Sequence, residues 1–331
     1  MNKNQIFESI KNNSIEVANF TNTELTDDDC LKLSNIIVDN HSVSKLIIRN
    51  LDIPIGINYI FDTLKTNKYI KSIILNNITF NDKNYYFLSE MLKYNKSIQK
   101  IDLDVKYKDD SKNSDFNTYF KLFCDSLIIH NNLLTFKINL EFNRLSNMLF
   151  DSLTTNISLK SLTIKNYRLD KFSIKYIDSF IKLFDNHQNL TKLTIYNLEL
   201  GSRNIRKTTL QQIFDHIADL TKLNYLNLEN SQGISIEFIN NILNKNKNIN
   251  YLNLIGTDHF TEDDCKKYYL PSYYCINDYD KLIDTLLDYN VNILLIPGDK
   301  LNHVNIIKLL THNKYIIKTN LYNYLKLNEL H

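Results

Sequence analysis

The sequence predicts an α/β solenoid in which one strand alternates with one helix, and three observations carry the prediction. The chain has 331 residues, of which 43% are hydrophobic and 23% charged. Single domains cluster at roughly 100 to 150 residues, so this length means about two domains unless the chain is one repeat array. The composition supports a large core and excludes wholesale disorder and fibrous classes. Self-comparison decides for the array: the segment VSKLIIRNLDI at 43–53 returns as IKSIILNNITF at 70–80, LKSLTIKNYRL at 159–169 and LTKLTIYNLEL at 190–200. A recurrence at roughly 20 to 50 residues is the mark of a solenoid. Between these segments the apolar spacing changes from alternation to helical periodicity.

In order, the strand segments begin at 15, 43, 70, 98, 133, 159, 190, 223, 249 and 291, with a marginal eleventh at 316. Most lie near 28 residues apart. Ahead of the first, MNKNQIFESIKNN spaces Ile6, Phe7 and Ile10 along one side of a short helix suited to covering the first repeat. After the first strand, Cys30, Leu33, Ile36 and Ile37 mark a helix. Thr26 is its N-cap, and Asp27, Asp28 and Asp29 follow where the helix dipole favours acids. Tyr85, Leu88, Met91 and Leu92 mark the helix after the third strand, with Asn81 as its N-cap. The predicted organisation is a cap at 1–14, about ten repeats at 15–301 with an insertion near 258–280, and a C-terminal repeat or cap at 302–331.

The turns complete the pattern. Asn40-His41-Ser42-Val43, Asn95-Lys96-Ser97-Ile98 and Asn156-Ile157-Ser158-Leu159 each lead into a strand of type L-x-x-L-x-L. Strand, helix and Asn-x-Ser-apolar turn together resemble the ribonuclease-inhibitor-like class of leucine-rich repeat proteins, over roughly residues 15 to 301. The resemblance implies a curved horseshoe arc with parallel strands on the concave face and helices on the convex face. One position departs from it. The ninth place of the strand segment holds Leu51, Ile78, Tyr167 or Leu198, and asparagine sits one place earlier, at Asn22, Asn50, Asn77, Asn166, Asn197 and Asn230. A continuous asparagine ladder at the usual depth is therefore not expected, and these asparagines are expected to satisfy backbone groups at the turn.

In such a repeat the residues between the apolar strand positions face the concave surface. From the second to the seventh segment these are Lys45, Arg49, Lys71, Lys100, Lys137, Lys160, Lys165 and Lys192 against Asp102 and Asp104. Later segments bring Tyr225, Tyr251, Ile255, Ile293 and Leu295, with Glu229 the only charge. Two readings fit: solvated lysines in a lysine-rich chain, or a graded face for a protein partner with an acidic patch beside exposed hydrophobes. The insertion DHFTEDDCKKYYLPSYYCINDYD at 258–280 adds Tyr268, Tyr269, Tyr273, Tyr274 and Tyr279. These rings either border the apolar end of that face as a recognition loop or pack over the helix of an enlarged repeat.

Other functions are disfavoured on composition and motif. The formal net charge of +2 gives no overall reason for a nucleic-acid or membrane-surface partner, and only Arg49, Arg144, Arg168, Arg203 and Arg206 are arginines. No run approaches ~18 apolar residues, and the N-terminus lacks the apolar core of a signal peptide. Cys30, Cys124, Cys265 and Cys275 are too few and scattered for a disulfide framework, so cytoplasm, or nucleus, is the expected compartment. Five dispersed glycines form no phosphate loop, and G-x-S-x-G and H-E-x-x-H do not occur. Asp258, His259, Asp263, Asp264, Cys265 and Cys275 gather in the insertion, but Thr261 to Cys265 nearly repeats Thr26 to Cys30 and reads as a helix start rather than a metal site. No catalytic residue, cofactor or metal is expected.

The function expected is a non-enzymatic scaffold that binds a protein partner through the concave face and nearby loops, since a solenoid multiplies surface without enclosing a pocket. One alternative is a GTPase-activating regulator, because the repeat class resembles that of the Ran GTPase-activating proteins, whose common acidic C-terminal tail is missing from this sequence. Another is a substrate receptor of a ubiquitin ligase, which would need a separate adaptor, since fourteen residues before the first repeat are too few for an F-box.

Overall fold

The computed structural model describes residues 1–254 apart from 22, 54, 108–114, 140–145, 166–173, 199–206, 232, 233 and 235, together with 293–295. The chain divides into two compact units, Met1–Ser161 and Leu162–His331. The first contains α1 (Lys3–Lys11), β1 (Val17–Thr21), α2 (Asp27–Ile37), β2 (Lys45–Leu51), α3 (Gly56–Leu64), β3 (Ser72–Phe80), α4 (Asp82–Tyr94), β4 (Lys100–Tyr107), α5 (Phe116–Ile129), β5 (Thr135–Asn139) and α6 (Ser146–Leu153). Its strands pair parallel in sequence order, and equivalent places of the repeat fall in register: Val17, Lys45, Ser72, Lys100 and Thr135. This is the α/β strand–helix repeat that the periodicity predicts.

The core of this unit follows from the alternation. Leu46, Ile73, Ile101 and Phe136, with Ile48, Leu75, Leu103 and Ile138 two places on, are buried. From the helices Cys30, Leu33 and Ile37, then Ile57, Ile60 and Leu64, then Tyr85, Leu88 and Leu92 are buried too. Each large apolar side chain so covered stabilises the fold by about 1.5–3 kcal/mol. Helix starts are fixed locally. Thr26 accepts from the Asp29 amide at 3.2 Å while Asp29 accepts from the Thr26 amide at 3.0 Å, and Asn81 and Asn84 form the same reciprocal box. Helix α1 buries Ile6 and Ile10, sets Phe7 against Phe20 with ring centroids 5.6 Å apart, and ties Lys3 to Asp29 at 2.7 Å.

The second unit contains β7 (Lys192–Tyr196), β8 (Tyr225–Asn227), β9 (Tyr251–Asn253) and β10 (Ile293–Leu295), paired parallel in that order. β6 (Ser161–Lys165) opens it at the unit boundary, and α7 (Ile174–Asn186), α8 (Lys207–Ala218) and α9 (Ile236–Lys245) alternate with the strands. Phe180 and Phe184 meet edge to face at 4.9 Å, and Phe214 stacks on Phe238 at 4.7 Å. Leu193, Leu226 and Leu252 bury the equivalent place of three successive strands.

Two sets of asparagines hold the repeat. Asn50, Asn77, Asn197 and Asn230 have φ between 55° and 60°, the left-handed region that asparagine tolerates better than most residues. The β3–β4 register shifts between Asn76 and Ile78, so Asn77 is the extra residue of a bulge. Two of these side chains reach another side chain: Asn77 donates to the Asn50 side-chain oxygen at 2.9 Å, and Asn230 to the Tyr196 hydroxyl at 2.8 Å. The positive φ makes the eighth place a conformational requirement, which the spacing of the asparagines did not reveal. Asn22 and Asn166 lie outside the described residues. Buried backbone groups are satisfied at the turn before the strand. Buried Asn95 donates to Leu64 O at 2.5 Å and Asn67 O at 2.7 Å and accepts from the amides of Ser97 and Ile98. Asn40, Asn67 and Asn156 occupy equivalent places and likewise donate to a carbonyl of the preceding repeat.

Candidate functional site

The outward strand face of the first unit is built from three rows. In the first, Lys45 and Lys100 stand in register on either side of Ser72. In the second, Ile47 and Ile74 are buried beside Asp102, whose carboxylate holds the Lys137 ammonium at 2.8 Å. In the third, Arg49 is in register with Asn76 and Asp104, and Asp104 accepts from the Asn139 amide at 2.9 Å. The Arg49 Nε is buried without a hydrogen-bond partner. Residues at the centre of a parallel sheet have a neighbour on both sides, which is why the middle row is covered although it faces outward. Lys71 and Lys160 precede their strands by one residue, because their amides and those of Ser72 and Ser161 converge on Ser44 O and Leu134 O respectively. Within the first unit the cations of the sequence pattern thus differ in surroundings: Lys137 is paired with Asp102, and Lys71 and Lys160 sit at the turns.

The second unit has a tighter arrangement. Lys192, Tyr225 and Tyr251 are in register on β7, β8 and β9. The Lys192 ammonium lies 5.9 Å from the Tyr225 ring centroid, and Tyr225 stacks on Tyr251 at 3.9 Å with planes 7° apart. A parallel row repeats the motif, with the Lys165 ammonium 5.9 Å from the Tyr196 ring centroid. Contacts of this kind contribute about 0.5–1 kcal/mol at exposed sites and hold both side chains in one place. Below them Asn253 donates to the Glu229 carboxylate at 3.1 Å, and the Glu229 amide donates to Asn227 at 2.9 Å. Burial, the Tyr225 hydroxyl and the Glu229 charge push the Tyr251 phenol above its ordinary range, so it stays protonated and able to donate. Spacing in the sequence placed Lys192, Tyr225 and Tyr251 at one repeat position; the stacking of cation on ring on ring, and the Glu229–Asn253 bond, emerge only with the register.

Several other candidates of the sequence fall elsewhere. Tyr268, Tyr269, Tyr273, Tyr274 and Tyr279, the acidic and sulfur groups of the insertion, and Ile255 lie outside the described residues. Ile293 and Leu295 belong to β10. Cys30 is buried, and that burial, with Asp27 and Asp29 nearby, pushes its thiol up to about 12; burial raises Cys124 as well. Neither thiol is a nucleophile near neutral pH. Among the described residues no three His, Cys, Asp or Glu side chains gather as a metal site, and no helix is long and apolar enough to cross a membrane.

Parallel strands in register, one helix per repeat and a ladder of buried turn asparagines define a leucine-rich-repeat-type α/β fold. Among solved structures the chain is similar to leiomodin-1 actin-binding site 2, with a TM-score of 0.39 and 17% identity over 46% of this chain and 87% of that one. It is similar also to the tropomodulin C-terminal domain of Caenorhabditis elegans, with a TM-score of 0.38 and 11% identity over 47% of this chain and 93% of that one. No family model matches the sequence, and no curated protein does.

Proposed function

We propose that this protein is a non-catalytic scaffold, ribonuclease-inhibitor-like in its repeat class, that binds a protein partner through the outward strand face of the second unit. The observation that supports it most is the row Lys192–Tyr225–Tyr251 with Lys165–Tyr196 alongside. Tyrosine supplies contact area at modest entropic cost, and here each ring is already held by a neighbour, so little order remains to be imposed on binding. The two ammonium groups suit acidic side chains of the partner, and the ring edges suit apolar ones beside them. Free, buried Cys30 and Cys124 are compatible with the reducing cytoplasm or nucleus.

A photo-crosslinking residue placed at Tyr225 or Tyr251, with Lys222 and Lys182 as control positions, tests this reading in native extract. The reading expects one protein adduct at the two strand positions and none at the controls. Adducts of equal yield at all four positions, or none anywhere, would count against it.

A further inference from the structure

We propose that the first unit carries a separate anion site, one that takes a multiply charged phosphate group. It is a cleft of about 490 Å3 between two successive helix-to-strand turns, residues 65–71 and 94–97. Lys65, Lys68, Lys71 and Lys96 line it with Tyr94 and Ser97, and none of the lining residues carries a carboxylate. Asp62 holds Lys65 at 2.7 Å, and Lys71 donates to the Lys68 carbonyl at 3.0 Å. Lys68 and Lys96 are exposed and make no ion pair among the described residues.

The places of Lys65, Lys68 and Lys71 are taken by Val38, His41 and Ser44 one repeat earlier, by Lys93, Lys96 and Gln99 one repeat later, and by Ile128, Asn131 and Leu134 two repeats later. Among these four turns the lysines fall in the two that form the cleft.

The end of a helix ordinarily repels anions, because its last carbonyls point outward. In this cleft those acceptors are occupied. Asn95 takes Leu64 O at 2.5 Å and Asn67 O at 2.7 Å, and the Ser97 hydroxyl takes Asn67 O at 3.1 Å. The same bonds fix the backbone of the two turns that carry these lysines. With Lys65 held by Asp62, the charges of Lys68, Lys71 and Lys96 are left to meet an anion, and a single carboxylate would leave most of that charge unmatched. A phosphate dianion or a polyphosphate matches it in a compact volume and offers several acceptor oxygens to point-charge donors.

Calorimetric titration of the full chain with sodium tripolyphosphate tests for a free ligand, and flotation with vesicles containing phosphatidylinositol 4,5-bisphosphate tests for a lipid headgroup. The site predicts binding in at least one arm, weakened about tenfold or more, equivalent to about 1.4 kcal/mol, by Lys68→Glu with Lys96→Glu. Lys182→Glu with Lys222→Glu should bind as the unaltered chain does. If the reversals shift the thermal midpoint, Lys68→Gln with Lys96→Gln is judged by the same criterion. No binding in either arm, binding indifferent to the cleft substitutions, or equal flotation with phosphatidylserine vesicles alone would overturn the proposal. Its success or failure is independent of the strand-face reading, which concerns other residues.

Discussion

At the scale of single residues the repeat depends on asparagines with two different duties. Asn95 makes its bonds while buried, so Asn95→Ala takes a partner from Leu64 O and from the Ser97 and Ile98 amides, leaves Asn67 O with the Ser97 hydroxyl, and is expected to cost roughly 2–4 kcal/mol in urea denaturation. Asn77 has a φ of 55°, and there the backbone decides. Asn77→Ala and Asn77→Gly lose the same bond to Asn50, yet alanine should be less stable than glycine by about 1 kcal/mol, since only it is strained in the left-handed region. Equal stability of the two would assign the position to its side chain. His130 stands in the place of a turn asparagine, fully buried, with Nε2 2.7 Å from Ile98 O and Nδ1 3.2 Å from Leu92 O. Burial lowers its pKa, against the pull of the two carbonyls. The unfolded chain therefore takes up the proton first as pH falls, and stability is full above about 6.5 and lost below it. His130→Asn should flatten the fall in denaturation midpoint between about pH 7 and 5 relative to the unaltered chain; an unchanged slope would mean that other groups cause it. The sequence shows asparagine at both places, but not which is buried or which is left-handed, because that depends on the neighbouring repeat.

At the scale of elements the fit of each helix against the one before it is the sensitive feature. The Gly56 amide donates to Asp27 at 2.6 Å, and a Cβ at Gly56 would come within 2.8 Å of that carboxylate oxygen and 2.9 Å of the Cys30 Cβ. Gly56→Ala is thus expected to push α3 off α2 and to lower stability by about 1–3 kcal/mol, read as a shift in denaturation midpoint with an unchanged slope. The N-terminal helix offers a second test. Deleting residues 1–14 would expose the surface now covered by Ile6, Ile10 and Phe7, and should leave a chain that unfolds earlier and aggregates. Retained stability would remove α1 from the capping role read from its spacing. Helix starts at Thr26 and Asn81 were legible in the sequence because a capping box is local. The ion pair of Lys137 with Asp102 was not, since it joins residues 35 apart across two strands.

At the scale of the molecule, periodicity alone revealed an α/β repeat, because one strand and one helix recur with the same apolar places. What it could not reveal is how charge is spent on each strand face. A lysine on the outward strand face counts as binding surface only if no neighbouring carboxylate holds it, and the register makes that distinction between Lys137 and Lys192. The central claim is that the cation–tyrosine row of the second unit holds a protein partner. It is tested most directly by quantifying the proteins retained from native cytosol by the unaltered chain and by a Lys192→Glu, Tyr225→Ala variant of unchanged thermal midpoint. The claim predicts that one protein retained by the unaltered chain is depleted about tenfold or more on the variant, as expected for loss of a hot spot of about 2 kcal/mol, while the background stays level. An identical retained set on both would contradict it.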